Sequence, residues 1–288
     1  MPRIVLITND SPHGQRILHT IWKRGIVLDA VLFVSGRIGA PPLMPRGGPV
    51  RRLLAWPKAF ASVVRWSIRF HRRRRASYAK LCARIIGTGA MNSARMLRDL
   101  RECEPDWIIL GGGGLLRPAT IATARLGVLN AHPALLPWIR GSGVTGASLE
   151  CGVALGATVH RVDQGIDTGA ILTRRLVEVE PTDVDLGRLE TLTYCVAAEM
   201  MADIVDGIVR GEGVPMGLAQ TVRYPLFRWP DADGMRRHFA LAATGRAHAL
   251  HLAWRPLCTD LARGILPDVA FDAPKETTLA PRQPARAE

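Results

Sequence analysis

No acidic residue lies between Ala30 and Arg98, although that stretch carries 15 Lys or Arg. The remaining 23 basic residues are set against all 25 acidic ones. The net charge of +13 therefore belongs to one segment, and that segment is where an anion would be met. The five cysteines, Cys82, Cys103, Cys151, Cys195 and Cys258, lie far apart, form no Cys-x-x-Cys pair and are odd in number. That pattern argues against a thiolate metal site and a disulfide framework, so no metal is expected. The cysteines read as small core residues of a reduced, cytoplasmic protein. No apolar run reaches the roughly 18 residues that a membrane-spanning helix needs. Met1-Pro2-Arg3 leads directly into a strand-like run, so no secretory leader is expected.

What is present is an ordinary globular composition. Apolar residues make up 48% of the 288, enough for a core. The run Arg3 to Thr8 is β-branched and ends in the turn cluster Asn9-Asp10-Ser11-Pro12. A helix is expected over Gly14 to Lys23 and a second strand over Leu28 to Val34. This β-α-β opening favours a parallel sheet. Further strands are expected at Trp107 to Leu110, at Val128-Leu129, and as a pair at Ala157 to Val162 and Ala170 to Val179. Leu186 to Val209 has the apolar spacing of a long packed helix. The fold class is therefore α/β with a mostly parallel sheet. Residues 1–211 are expected to form the main domain, with a basic helical insertion at about 40–90. Residues 212–273 form a small C-terminal extension and 274–288 a disordered tail. Gly36 to Pro49 reads as a loop, Trp56 to Ile86 as a basic helix, and Met235 to Ala243 as a short helix.

The stretch NAHPALLP, Asn130 to Pro137, places two polar residues at i and i+2 on the end of a buried strand. Side chains alternate along a strand, so Asn130 and His132 face one crevice. That crevice lies at the carboxyl end of a strand, where α/β folds place ligands. Further on, Asp163 and Asp167 flank a tight loop in GATVHRVDQGIDTGAIL. A carboxylate near His132 would orient its ring and raise its pKa. An amide, an imidazole and a carboxylate together suit acyl transfer to an amine. Asn130 can donate to a developing oxyanion, His132 can stabilise the same oxygen or move a proton, and Asp167 can hold the imidazole. Neither Ser nor Cys stands beside the pair as a nucleophile, which favours direct transfer.

These two motifs, N-x-H-P-x-L-L-P followed by Arg140-Gly141 and then G-x-T-V-H-x-V-D-x-G-I-D-T-G, resemble the folate-dependent formyltransferase family. The resemblance is continuous from about Pro105 to Gly211. It implies a Rossmann-like catalytic domain that uses 10-formyltetrahydrofolate, with Asn130, His132 and Asp167 as the catalytic residues. It also implies folate contacts at Gly113, Gly114, Leu115, Leu116 and Arg117, and at Val162, Asp163, Gly165 and Ile166. Relatives often carry bulky residues where this chain has Gly113 and Gly114, which implies a wider pterin pocket or one lined from elsewhere. Relatives share His160, which reads as a supporting or core residue.

The acceptor is the least legible part. Members of this family act on methionyl-tRNA, glycinamide ribonucleotide or amino sugars, and a relative hydrolyses the donor. Only 77 residues follow Gly211, and they lack the strand alternation of the extra β-barrel in the tRNA enzyme. Tyr194 stands where an acidic residue would hold glycinamide ribonucleotide. The remaining expectation is an anionic small-molecule amine, a nucleotide-linked amino sugar above all. Asn9, Asp10, Ser11, His13 and Arg140 are the candidate substrate contacts. Tyr224 to Pro230 could stack a base, but reads better as a hairpin covering the core. The basic helix at 56–84 interleaves Trp56, Phe60, Trp66 and Phe70 with Arg, which suits a membrane surface, a carrier protein or nucleic acid. A homodimer and a non-catalytic binding module stay open.

Overall fold

The computed structural model describes residues 1–34, 78–112, 114–222, 224–261 and 263–267. Gly113, the loop expected at 36–49, most of the basic helix and insertion, and the tail lie outside the described residues.

The chain opens with β1 (Ile4–Thr8), α1 (Pro12–Lys23) and β2 (Ala30–Phe33). Every residue of β1 is buried, because both faces of the strand are covered. Ile4 and Leu6 pack with Ile17, Leu18 and Ile21 of α1. Val5 and Ile7 pack on the other side with Met96 and Leu100 of the later helix Ala94–Cys103. Each such side chain contributes about 1.5–3 kcal/mol. α1 starts two residues before the expected Gly14. Ser11 caps it by accepting from the Gly14 N–H at 3.2 Å, and Pro12 fits the first helical position.

The next elements are β3 (Ile85–Gly87), α2 (Ala94–Cys103), β4 (Trp107–Gly111), α3 (Pro118–Ile121), β5 (Gly127–His132), β6 (Arg140–Gly141), α4 (Val144–Cys151), β7 (Gly156–Arg161) and β8 (Ile171–Leu176). Seven strands form one sheet in the order β3-β2-β1-β4-β5-β7-β8. β3, β2, β1, β4 and β5 are parallel, while β7 runs antiparallel to both β5 and β8. The expected mostly parallel sheet is therefore present. One expectation is corrected at its edge, because the helix read through Ile86 does not extend there. Ile85 and Ile86 instead enter β3 opposite Val31 and Leu32, where β-branched side chains meet a pleated surface.

α5 (Leu186–Arg210) is capped by Asp185, which accepts from the Arg188 N–H at 2.7 Å, and stopped by left-handed Gly211. It packs against α1 and the sheet. Beyond it come β9 (Leu226–Phe227), α6 (Ala232–Ala243) and α7 (Arg246–Trp254). α6 begins three residues before the expected Met235, at the cap formed by Asp231. α7 was not expected. The hairpin expected over Tyr224 to Pro230 is also corrected. Leu226-Phe227 pairs in parallel with Arg140-Gly141, so its partner comes from the far side of the sequence.

α6 and α7 share a core with the segment after β5, and Trp254 meets Trp138 edge-on at 5.1 Å. All five cysteines are free. Among the described residues, no helix is long and apolar enough to cross a membrane, and no group of His, Cys, Asp and Glu could hold a metal ion.

Candidate active site

Strand register builds the site. Leu129 and Ala131 belong to the core under α1 and α5, so Asn130 and His132 face the opposite side. Antiparallel pairing sets Asn130 directly across from His160 and His132 across from Thr158. Cross-strand partners of this kind are close enough for their side chains to bond. The Asn130 Nδ2–His160 Nε2 distance is 3.1 Å. The loop between β7 and β8 then brings Asp167 to both histidines. Its carboxylate lies 3.6 Å from His132 Nδ1 and 3.5 Å from His160 Nε2. It also accepts from the Gly141 N–H at 2.9 Å. Asp167 holds a left-handed φ of 53°, a conformation that costs a non-glycine residue energy and is common at functional sites.

Hydrogen bonds to carbonyls orient both rings, because a carbonyl oxygen only accepts and the ring nitrogen facing it must donate. His132 donates from Nε2 to the Ile139 carbonyl at 3.0 Å, which turns Nδ1 toward Asp167. His160 donates from Nδ1 to the Arg161 carbonyl at 2.8 Å, and its Nε2 lies between the Asn130 amide nitrogen at 3.1 Å and Asp167 at 3.5 Å. The second N–H of that amide stays available for a ligand. Burial lowers the pKa of His132, and the Asp167 charge partly opposes this. Burial alone would raise the pKa of Asp167. Its two histidine neighbours and the Gly141 N–H outweigh that effect and hold the carboxyl well below the usual carboxylate range.

A cavity of about 530 Å³ opens over this cluster. One wall is Gly112, Gly114, Leu115, Leu116, Val162, Gly165 and Ile166. The facing side carries His13, Gly141, Ser142 and the run Leu226 to Trp229. His13 is buried on α1, 2.8 Å from the Ala131 carbonyl, and burial lowers its pKa to about 4. Of the expected folate contacts, Gly114, Leu115, Leu116, Val162, Gly165 and Ile166 line the cavity, while Arg117 and Asp163 do not. Of the expected substrate contacts, only His13 lines it. Asp10 accepts from the Tyr78 hydroxyl at 2.6 Å, and Asn9 and Ser11 shape the turn. Arg140 donates to the carbonyls of Ile166 and Tyr224. Gly141 and Ser142 had not been read as site residues. Leu226 to Trp229 had been weighed as part of a base-stacking segment on the strength of their aromatic cluster, but set second to a hairpin.

Fold and site together define a class: Rossmann-like α/β proteins with an amide, an imidazole and a carboxylate clustered at the end of a central strand. Residues 72–204 match the family model described as "Formyl transferase". The chain is 32% identical over 130 residues to the methionyl-tRNA formyltransferase of Chloroflexus aggregans (strain MD-66 / DSM 9485), covering 44% of this chain and 42% of that protein. It is 34% identical over 133 residues to that of Roseiflexus castenholzii (strain DSM 13941 / HLO8), covering 46% and 42%. The match thus spans less than half the length of these relatives. In fold it is similar to a sugar N-formyltransferase from Shewanella sp FDAARGOS_354, with a TM-score of 0.53 and 11% identity over 84% of this chain and 88% of that one. It is also similar to glycinamide ribonucleotide transformylase 1 from Symbiobacterium toebii, with a TM-score of 0.50 and 20% identity over 73% and 89%. The fold is that of the formyltransferases.

Proposed function

We propose that this chain transfers a formyl group from 10-formyltetrahydrofolate to the amine of an anionic small molecule, a nucleotide-linked amino sugar above all. One observation carries the reading: Asn130, His132, His160 and Asp167 converge on a single cavity that has a bare-backbone wall on one side and a side-chain wall on the other. The bare wall suits a flat heteroaromatic donor. A Cβ built on Gly114 would meet nothing within 4 Å, so this backbone lies open. Leu115, Leu116, Val162 and Ile166 offer apolar contact around it.

Bound there, the donor would supply an electrophilic formyl carbon. The chain's own groups do the rest. The free N–H of Asn130 donates to the formyl oxygen as charge builds on it. Asp167, kept ionised, attracts the amine as it becomes cationic and accepts its proton. His132 Nδ1 lies 3.6 Å from Asp167, near enough to pass the proton on, and the donor nitrogen would take it up as its bond to the formyl carbon breaks. His160 keeps the Asn130 amide turned with nitrogen toward the reaction. Burial of both histidines limits competing water.

A second reading, methionyl-tRNA as acceptor, is favoured by the names of the curated relatives. The two are separated by incubating the protein with 10-formyltetrahydrofolate and, in parallel, nucleotide-linked amino sugars, glycinamide ribonucleotide, methionyl-tRNA and no acceptor. A formyl mass gain on an amino sugar with matching tetrahydrofolate release supports the proposal. A gain on methionyl-tRNA alone overturns its acceptor. Formate without any formylated amine overturns transfer in favour of hydrolysis.

A further inference from the structure

The side-chain wall of the cavity carries a recognition surface that the chemistry above does not use. Trp229 lines the cavity yet is 67% exposed, and among the described residues no ring or cation covers it. Arg228, beside it, is the only Lys or Arg among the described residues lining the cavity, and it has no hydrogen bond or ion pair there. An uncovered indole beside an uncommitted guanidinium at a pocket mouth offers a ligand a stacking face and an anion-binding fork together.

This wall is fastened to the catalytic floor. Gly141 donates its N–H to Asp167, and a Cβ at Gly141 would collide with the Phe227 carbonyl oxygen. Ser142 N–H donates to that same carbonyl at 3.1 Å, and Arg140 donates to the Tyr224 carbonyl at 3.0 Å. A Cβ at Gly143 would meet Pro230 at 2.7 Å. The segment Tyr224 to Pro230 is therefore held at a set position from Asp167, as a substrate-positioning element must be.

We infer that Trp229 and Arg228 form a nucleotide subsite, in which the indole stacks on the base of a nucleoside diphosphate and the guanidinium binds its phosphates. The inference rests on the formyl-transfer reading only in making that nucleotide the handle of the acceptor. The chemistry is specific to both residues. A base stacks on any exposed aromatic face, and a guanidinium fork matches phosphate oxygens in a bidentate way. The floor itself is anionic at Asp167, so a phosphate is drawn to Arg228 at the rim while the amine is drawn inward.

The test is equilibrium binding of uridine diphosphate, thymidine diphosphate, uridine and a CCA-ending RNA oligonucleotide to the full chain, without folate. Both residues are exposed, so Trp229→Ala, Trp229→Phe and Arg228→Gln leave the thermal melt unchanged. The parent binds a nucleoside diphosphate. Trp229→Ala weakens it roughly tenfold or more, whereas Trp229→Phe keeps most of the affinity. Arg228→Gln weakens the diphosphate but not uridine. No binding by the parent, parent-like affinity in Trp229→Ala and Arg228→Gln, or tighter binding of the oligonucleotide than of either diphosphate would overturn the subsite. Because no donor is present, these results stand apart from success or failure of formyl transfer.

Discussion

Asp167 combines a strained backbone, burial and three neighbours that favour its charge. A residue so constrained loses its function when the charge is removed, even though Asn has nearly the same shape. Asp167→Asn is expected to lower turnover by about 10²–10⁴-fold with an unchanged circular dichroism spectrum. Asn130→Ala, which removes the proposed donor to the oxyanion, is expected to cost about 10²–10³-fold. His13 gives a separate signature in stability. Its pKa is about 4 in the folded chain and about 6.5 when unfolded. As pH falls below about 6.5 the unfolded chain takes up a proton there and the folded chain does not. Stability is therefore full above about 6.5 and declines toward pH 4, by about 3 kcal/mol at most. Urea midpoints measured across that window should fall more steeply for the parent than for His13→Gln. Parallel curves would refute the assignment.

At the scale of elements, the pairing of β6 with β9 joins the segment after Asn130 and His132 to the chain beyond α5. Gly141 makes the pairing possible, because its φ is 99° and the Phe227 carbonyl oxygen occupies the space of a Cβ. Gly141→Ala is expected to cost about 1–3 kcal/mol in a thermal or urea melt and to impair turnover by shifting the N–H that Asp167 accepts. A variant with the parent's stability and activity would show that the pairing is dispensable. This junction also marks where the sequence stops being readable. β1, β4 and α5 were legible because burial on two faces, or along one helical stripe, leaves a dense apolar pattern. Asn130, His132 and Asp167 were legible from two motifs. β6 and β9 are two residues each and far apart in the chain, so no periodicity announces them. The contacts of Arg140 were hidden for a related reason: only the folded chain shows its donors bonded to the carbonyls of Ile166 and Tyr224.

At the scale of the whole molecule, the C-terminal extension completes the core around the turn after β5. Trp254 and Leu266 are fully buried in the same cluster as Leu135, Ile139 and Leu189. Trp254→Ala is expected to cost about 3–5 kcal/mol, read as a lower urea midpoint. A chain ending at Gly211 should expose this cluster and fail to fold cooperatively. The cavity over Asp167 thus joins a polar floor, a backbone wall proposed for the donor and a side-chain wall proposed for the acceptor. The most direct test of that arrangement is single-turnover transfer from 10-formyltetrahydrofolate to a nucleotide-linked amino sugar, comparing the parent with Asp167→Asn. The account predicts one formylated acceptor per tetrahydrofolate released by the parent, and a variant that still binds the donor but transfers at least a hundredfold more slowly. Transfer by Asp167→Asn at the parent's rate would contradict it.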